Sequence, residues 1–532
     1  MMSVLDYIWA GIMAVLAGPE AFSIFGIGIS ITIMMVTFGF LLGIVIGATP
    51  GLGGAFVMAV SLPILISIFG YTPDALLPVM GFLIGVMKGA TVGGAVPAIL
   101  FNTPGTPDAL MTTLDGYPMA KKGQAGKALR TAHFASASGD TFSDLVLFTT
   151  APFLAILVES YLGFAEKAAL IILSLSFVAA VVGASPMKGL IAAFFGILLA
   201  SIGTGEDLYP RLTMGTDFLA NGFPLITAVL GVLIMGEVIH SFEEIWRDRR
   251  SDRMASEFKQ SGDNGLSWRE RRALLPYISV SAVVGTVIGA LPGIGSTLAA
   301  TLGYATGQKM HKGPVPFGEG TPEGVAATEA ANSAVSGSNL IPVLSLGIPG
   351  NVSAVFLILA AESIGGFNPG PSVFRFTVNE VNPELVIAFG LFTTMMIGNI
   401  LNWTIGGQFM RWVGVMARVP KPVLMPMVFL LTITAVYVQE TDMVAVYFLL
   451  IFGLLGYVMR KIKMPILPFV IAFILAGNLE TAMRQAFSVS DADPLFLFRS
   501  GTSIVFLGLS VLVVIFFSRK QKQDVAMSSE VS

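Results

Sequence analysis

Apolar residues form long runs along most of this chain, separated by short segments rich in Gly, Pro, Asn and charged residues. A helix that crosses a bilayer needs about 20 mainly apolar residues, and many of the runs approach this length. The pattern predicts an all-α polytopic membrane protein with about ten to twelve transmembrane segments, some of them short or broken. Spans are expected near residues 21–48, 127–161, 164–183, 188–202, 223–239, 273–291, 384–413, 423–438, 444–457, 464–476 and 495–517.

One stretch, residues 89–126, departs from this pattern. Its density of Gly, Pro, Thr and Asn is expected to prevent a continuous helix, yet residues 92–101 are too apolar for a solvated loop. Irregular backbone at membrane depth is tolerated only where it is buried in protein or lines a cavity. We therefore expect a hairpin-like segment with its tip at residues 102–105, which leaves the membrane beyond about residue 109.

Composition supports the membrane assignment and excludes several kinds of chemistry. The 532 residues are 54% hydrophobic and 12% charged, whereas a soluble protein carries about 25% charged residues. The chain has no cysteine, which excludes a thiolate nucleophile and a Cys-based metal site, and its three histidines lie far apart in sequence. No metal site is predicted beyond one for a coupling Na⁺. A net charge of −3 argues against nucleic-acid binding.

Two Gly/Pro motifs point to an internal repeat. Residues 43–54 (GIVIGATPGLGG) and 285–296 (GTVIGALPGIGS) agree at about eight of twelve positions. Downstream, a Thr-Pro-acid tripeptide at 72–74 recurs at 321–323. The other positions that recur in the same order are Pro50 with Pro292, Gly51 with Gly293, Gly53 with Gly295, Pro97 with Pro342, and Pro104-Gly105 with Pro349-Gly350. This order indicates a duplication.

Basic residues predict that the two repeats have opposite orientations in the membrane. The connector at residues 240–272 holds eight Lys/Arg and is expected in the cytoplasm by the positive-inside rule. Basic residues directly precede the second motif helix, and none precede the first, so the equivalent helices enter from opposite sides. The predicted divisions are an amphipathic or membrane-entering segment (1–20), a first repeat (21–240), a cytoplasmic basic connector (241–272), a second repeat (273–517) and a cytoplasmic tail (518–532).

Corresponding broken segments in two repeats are the best sequence pointer to a transport site. Helix N-termini at such breaks favour an anion, and helix C-termini or unwound carbonyls favour a cation. The predicted substrate-binding residues are Thr49, Pro50, Gly51, Gly53, Asn102, Thr103, Pro104, Gly105, Pro292, Gly293, Gly295, Ser296, Thr297, Pro349, Gly350 and Asn351. The predicted cation-coupling residues are Gly47, Thr106, Asn332, Ser336, Asn339 and Ser353. Each of these residues could also serve only as a helix cap or a helix–helix contact.

Charged residues within the apolar regions give further candidates. Lys88 either reaches a membrane interface or faces an anionic substrate. Asp140 and Asp144 share one helix face and are candidates for proton or Na⁺ coupling, although a polar face between subunits explains them equally well. The remaining acids near the motifs are expected to be solvated loop or cap residues: Asp108, Asp115, Glu319, Glu323 and Glu329.

A family resemblance is carried by four segments: GATPGLGG at 47–54, KGATVGGAVPAILFNTPGTPDALMTTLDGYPMAKKGQAGKAL at 88–129, GALPGIGSTLA at 289–299 and SLGIPGNVSAV at 345–355. Through them the chain closely resembles the large membrane subunit of the tripartite tricarboxylate transporter family over nearly its whole length. The resemblance implies cation-coupled secondary import of a di- or tricarboxylate, such as a citrate-like acid, across the bacterial inner membrane. It implies no cofactor other than the coupling ion, Na⁺ or H⁺.

The resemblance also implies partners and a mechanism. The expected partners are a small membrane subunit, a periplasmic substrate-binding protein and the lipid bilayer, and a homodimer of the complex is compatible with them. The family is similar in outline to elevator-like carriers, whose paired re-entrant hairpins move substrate past a scaffold. By this resemblance, the tips of the two hairpins in this chain would be residues 102–105 and 347–351. The alternatives are an anion channel and a membrane-embedded enzyme. An intramembrane protease is disfavoured because Asp140 and Asp144 share one helix and no Ser–His pair is evident. An ATP-driven pump is disfavoured because the chain has no nucleotide-binding loop.

Overall fold

The protein is almost entirely helical in a computed structural model that describes residues 4–24, 27–49, 53–182, 185–204, 209–247, 265–375, 381–416 and 421–530. Nine of the described helices are long and apolar enough to cross a membrane, and six shorter apolar helices accompany them. The predicted class, an all-α polytopic membrane protein, is confirmed.

The helices form two compact units, each assembled from two separate parts of the chain. Unit 1 comprises Met1–Ile156 and Arg250–Pro420, and unit 2 comprises Leu157–Arg249 and Lys421–Ser532. Each predicted repeat therefore contributes one part to each unit. The boundaries predicted for the repeats, connector and tail remain predictions, and most of the connector lies outside the described residues.

Unit 1 contains the repeated motifs. Its elements are α1 (Val4–Leu16), β1 (Glu20–Ile24), β2 (Ile27–Ser30), α2 (Ile31–Gly47), α3 (Gly54–Phe69), α4 (Leu76–Phe101), α5 (Thr113–Lys121), most of α6 (Ala125–Tyr161), α11 (Trp268–Gly289), α12 (Gly295–Met310), α13 (Pro322–Ser338), α14 (Leu340–Leu346), α15 (Val352–Ile364), α16 (Pro383–Leu401) and α17 (Gly407–Met416). A π-helical turn, Asn402–Gly406, joins α16 to α17.

Unit 2 contains the remaining elements: α7 (Phe164–Val181), α8 (Pro186–Ala200), β3 (Gly203–Thr204), β4 (Pro210–Arg211), α9 (Leu225–Leu230), α10 (Gly236–Arg247), α18 (Lys421–Glu440), α19 (Met443–Lys461), α20 (Ile466–Val489) and α21 (Gly501–Glu530). Ion pairs join several of these elements at their polar ends. Arg211 binds Glu480 at 3.0 Å, and Arg460 binds Glu237 at 2.9 Å.

The glycine-rich part of residues 89–126 is helical, contrary to the sequence prediction. Helix α4 continues without interruption to Phe101 because its glycines let it pack directly against α2. A Cβ on Gly43 would lie 2.5 Å from the carbonyl oxygen of Val86, and a Cβ on Gly89 would overlap the carbonyl oxygen of Phe40. Small residues four apart allow this close helix–helix approach, so these glycines stabilise packing instead of breaking the helix.

The first predicted span begins later than expected. The sequence predicts a helix from residue 21, but strands β1 and β2 pair antiparallel in this region and α2 begins only at Ile31. Ser30 caps this helix, since its side chain accepts a hydrogen bond from the backbone N–H of Ile33. In contrast, the predicted run from residue 127 to residue 161 is confirmed as α6.

Candidate functional site

Two helix ends in unit 1 have the same backbone geometry at repeat-equivalent positions. Asn102 ends α4 with φ 53° and Gly347 ends α14 with φ 71°, both in the left-handed region. At the first end, the backbone N–H groups of Asn102 and of the next residue both donate to the carbonyl of Pro97. At the second end, the backbone N–H groups of Gly347 and of the next residue both donate to the carbonyl of Pro342. Shared hydrogen bonding of this kind supports the internal repeat independently of the sequence alignment.

The segments that follow these helix ends pack against the repeated helix breaks. Gly105 lies so close to Gly47 that a Cβ on it would overlap the Gly47 carbonyl oxygen. In the second repeat, the backbone N–H of Gly293 donates to the carbonyl of Gly350 at 2.8 Å. A Cβ on Gly350 would lie 3.2 Å from the Cβ of Asn339. Each tip is therefore fixed to the break of its own repeat by backbone contacts.

The two repeats also contact each other around the tips. The Thr297 hydroxyl, in the first turn of α12, donates to Asp108 just beyond the first tip at 2.8 Å. In the equivalent arrangement, α15, which follows the second tip, packs against α3. Asn351 caps α15 by accepting from the N–H of Ala354 at 2.9 Å. This crosswise contact brings the two tips and the two breaks into one region of unit 1.

The predicted site residues differ in their accessibility. Asn102, Thr103 and Thr297 are exposed. Those that are partly buried are Gly53, Pro104, Pro292, Gly295, Ser296, Asn351 and Ser353. Those that are buried are Gly47, Thr49, Gly105, Thr106, Gly293, Asn332, Ser336, Asn339, Pro349 and Gly350. Pro50 and Gly51 lie outside the described residues.

Two buried asparagines, one in helix α13 and one at its C-terminal cap, have side chains that lack partners within the described structure. Asn332, Ser336 and Asn339 follow one another at intervals of four and three residues, so they share one face of the helix. Neither polar atom of the Asn332 amide or the Asn339 amide has a hydrogen-bond partner among the described residues, and both residues are only 1% exposed. A buried polar group without a partner costs about 1–3 kcal/mol, so this face is suited to an additional ligand, ion or water.

A buried charge cluster lies on the same side of α13. The Lys88 ammonium donates to Asp140 Oδ1 and to Asp144 Oδ2, each at 2.7 Å, and to the Asn399 side chain at 3.2 Å. Ser336 donates to the same Asp140 oxygen, and Asn399 Nδ2 donates to Asp144 at 2.7 Å. The structure therefore pairs Lys88 with protein carboxylates inside unit 1, so its side chain does not extend out of the protein and needs no anionic substrate to neutralise it.

The charges of this cluster do not balance. One ammonium against two carboxylates leaves one unit of negative charge when all three groups are ionised. Lys88 is 1% exposed, and Asp140 and Asp144 are each 3% exposed, so bulk solvent does not screen that charge. The second oxygen of Asp144 has no hydrogen-bond partner among the described residues. An unpaired buried charge costs several kcal/mol, so the arrangement favours binding of one monovalent cation.

Two acids that the sequence assigns to solvated positions are fully buried. Asp115 accepts hydrogen bonds from the backbone N–H groups of Gly320 and Thr321, each at 2.8 Å, and from the Tyr304 hydroxyl at 2.9 Å. Glu329 accepts from the Thr112 hydroxyl. The prediction is wrong here because tertiary contacts bury both residues. Asp115 fixes the loop before α13 against α5, which is a structural role.

Sequence reasoning missed part of this site. It identified Lys88, Asp140 and Asp144 separately but did not pair them, and it did not include Asn399. A usable signal was present, since charges in apolar helices normally neutralise one another, and one lysine with two aspartates is the simplest set in the first repeat. The glycines at 39, 43 and 47 and at 85, 89 and 93 also share the four-residue spacing of close helix pairs.

Comparison with known proteins gives a family match over most of the chain. The model of the "Tripartite tricarboxylate transporter TctA family" matches residues 33–471. The "Uncharacterized 52.8 kDa protein in TAR-I ttuC' 3'region" of Agrobacterium vitis is 30% identical over 496 residues, covering 91% of this chain and 93% of that protein. The "Uncharacterized protein in TAR-II ttuC' 3'region" of the same organism is 31% identical over 235 residues, covering 43% of this chain and 92% of that protein. No solved structure matches.

Proposed function

The chain belongs to the tripartite tricarboxylate transporter TctA family, a family of multi-pass membrane proteins from tripartite systems, and we propose that it imports a di- or tricarboxylate by cation-coupled alternating access. It would act in the bacterial inner membrane with a small membrane subunit and a periplasmic binding protein that delivers the substrate. The observation that carries this proposal is the pair of equivalent helix ends at Asn102 and Gly347, which meet the repeated breaks within one unit.

Such a region suits a carboxylate for a physical reason. Helices α12 and α15 begin beside the second break and the second tip, and the first N–H groups of a helix favour an anion through hydrogen bonding and the helix dipole. Neutral side chains such as Asn102, Thr103 and Ser296 can complete the contacts without adding charge. Because all these residues lie in unit 1, we propose that this unit carries the substrate in an elevator-like movement.

We place the coupling cation at the buried charge cluster of Lys88, Asp140 and Asp144. Its excess of one negative charge is neutralised by one proton or one Na⁺, and Ser336 links it to the α13 face that carries Asn332 and Asn339. Cation binding would thus change the charge of the face next to the two tips. This linkage supplies the differential interaction free energy that a coupled conformational change requires.

Reconstituted uptake tests the proposal. The purified membrane subunits in liposomes, with the binding protein and a labelled carboxylate outside, are expected to accumulate label above the external concentration only under an inward H⁺ or Na⁺ gradient. Flux that stops at equal concentrations would identify a channel and contradict the proposal. Replacing Asn102 or Asn351 by leucine is expected to abolish uptake without loss of membrane insertion, and normal uptake would remove those residues from the site.

A further inference from the structure

A basic cavity in unit 1 shares no lining residue with the helix tips or the buried charge cluster. It has a volume of about 360 Å³ and lies between α6, the start of α11 and the segment around the π-helical turn before α17. Its lining includes Arg130, Arg271, Arg411 and His133. No carboxylate is among the lining residues, and none of the three arginines forms an ion pair within the described parts of the chain.

The arginines are held in place by contacts that leave their charge unneutralised. The Arg271 guanidinium lies over the Phe134 ring, 5.5 Å from its centroid, and its buried Nε has no hydrogen-bond partner among the described residues. Arg411 Nε donates to the backbone carbonyl of Gly407 at 3.1 Å, and Arg411 Nη2 donates to the side chain of Gln408. Each guanidinium has five N–H donors, so most of these donors have no partner among the described residues. Arg130 and Arg271 are partly buried and Arg411 is exposed, and no acid lies among them in the cavity lining. Neighbouring cations without an acid repel one another, and a bound anion reduces that repulsion.

The surroundings indicate where this anion comes from. Trp403 lines the cavity, is 42% exposed, and donates through Nε1 to Thr141 at 3.0 Å. A tryptophan with an apolar face and one bonded polar edge is typical of the membrane–water interface. Arg269 and Arg272 stand beside Arg271 on α11, at the end that the positive-inside rule assigns to the cytoplasm. Anionic lipids are abundant in the cytoplasmic leaflet, and basic pockets between membrane helices bind their headgroups.

We propose that this cavity binds the phosphodiester headgroup of an anionic phospholipid. Planar guanidinium groups bind phosphate oxygens through paired N–H donors, and three of them exceed the single charge of one phosphodiester, which favours a net anionic lipid over a zwitterionic one. The lipid would join α6, α11 and α17 at one end of unit 1. The proposal uses no residue of the transport site and does not depend on the proposed function.

Native mass spectrometry of the delipidated full-length protein tests this. Phosphatidylglycerol and phosphatidylcholine with the same acyl chains are titrated separately, and inorganic phosphate and citrate serve as soluble anions. The test variant replaces the three cavity arginines by glutamine. The control variant is Arg269→Gln/Arg272→Gln/Lys309→Gln, which removes three exposed charges outside the cavity lining. Should the test variant not fold, Arg271→Gln alone replaces it.

The wild-type protein and the control are expected to retain phosphatidylglycerol in preference to phosphatidylcholine. The triple cavity variant is expected to lose on the order of 100-fold in affinity for phosphatidylglycerol, and Arg271→Gln about tenfold or less, since each guanidinium that contacts the bound phosphate contributes about one factor of five to ten. The control residues lie outside the cavity lining and do not make that contact. Equal loss in the control variant would overturn the proposal. Cavity-dependent binding of phosphate or citrate without a lipid preference would also overturn it, because the site would then serve a soluble anion.

Discussion

Removing the charge of Lys88 tests how far the buried charge cluster of Lys88, Asp140 and Asp144 stabilises the folded protein. In Lys88→Met the apolar stem is nearly preserved, but two carboxylates at 2.7 Å from the ammonium lose their only counter-charge among the described residues. Breaking a buried ion pair by removing one partner costs about 3–5 kcal/mol. Because this lysine serves two carboxylates, we expect a loss near the upper end of that range in the free energy of unfolding.

The assay is equilibrium unfolding of the purified protein in detergent micelles, followed by tryptophan fluorescence. Lys121→Met is the matched control, since Lys121 is exposed, and its effect is expected to stay within about 0.5 kcal/mol. The triple variant Lys88→Met/Asp140→Asn/Asp144→Asn restores neutrality and is expected to recover most of the lost stability. The reasoning is refuted if Lys88→Met is as stable as the wild-type protein, or if the triple variant is no more stable than Lys88→Met.

Three further changes test other parts of the account. Gly43→Ala places a Cβ 2.5 Å from the Val86 carbonyl oxygen and should lower the free energy of unfolding by about 1–3 kcal/mol. In the control Gly477→Ala nothing lies within 4 Å of the new Cβ, so this change should be neutral or stabilising. Equal effects of the two changes would contradict the close α2–α4 packing. Asp115→Asn should speed proteolysis at residues 311–321, and unchanged cleavage would remove its role in fixing that loop. Asn102→Gly should preserve stability because glycine adopts the φ of 53° at this position without steric cost, whereas Asn102→Val should lower the melting temperature. The reverse order of melting temperatures would exclude the left-handed turn.

Much of this architecture could be predicted from the sequence, because its signals are local. Apolar runs such as residues 127–161 predict their helices, and the repeated Pro-Gly motifs predict equivalent backbone turns in the two halves of the chain. The Asn102 and Gly347 helix ends agree with that duplication in conformation and in hydrogen bonding. The absence of cysteine also excludes a thiolate nucleophile without reference to the fold.

The remaining features depend on contacts between distant parts of the chain. Lys88 meets Asp140 and Asn399 across sequence separations of 52 and 311 residues, and no local pattern specifies that meeting. Likewise, glycine in isolation weakens a helix, and only the partner helix reveals that the glycines of α4 allow close packing. The burial of Asp115 has the same origin, because its hydrogen-bond donors are about 200 residues downstream.

The most direct test of the transport account compares wild-type protein with Asp144→Asn in the same liposomes. We predict that Asp144→Asn exchanges internal labelled carboxylate for external carboxylate, because the binding site remains intact, but no longer accumulates substrate under an imposed H⁺ or Na⁺ gradient. Wild-type protein should do both. Gradient-driven accumulation by Asp144→Asn at the wild-type level would contradict the claim that the buried cluster of Lys88, Asp140 and Asp144 holds the coupling cation.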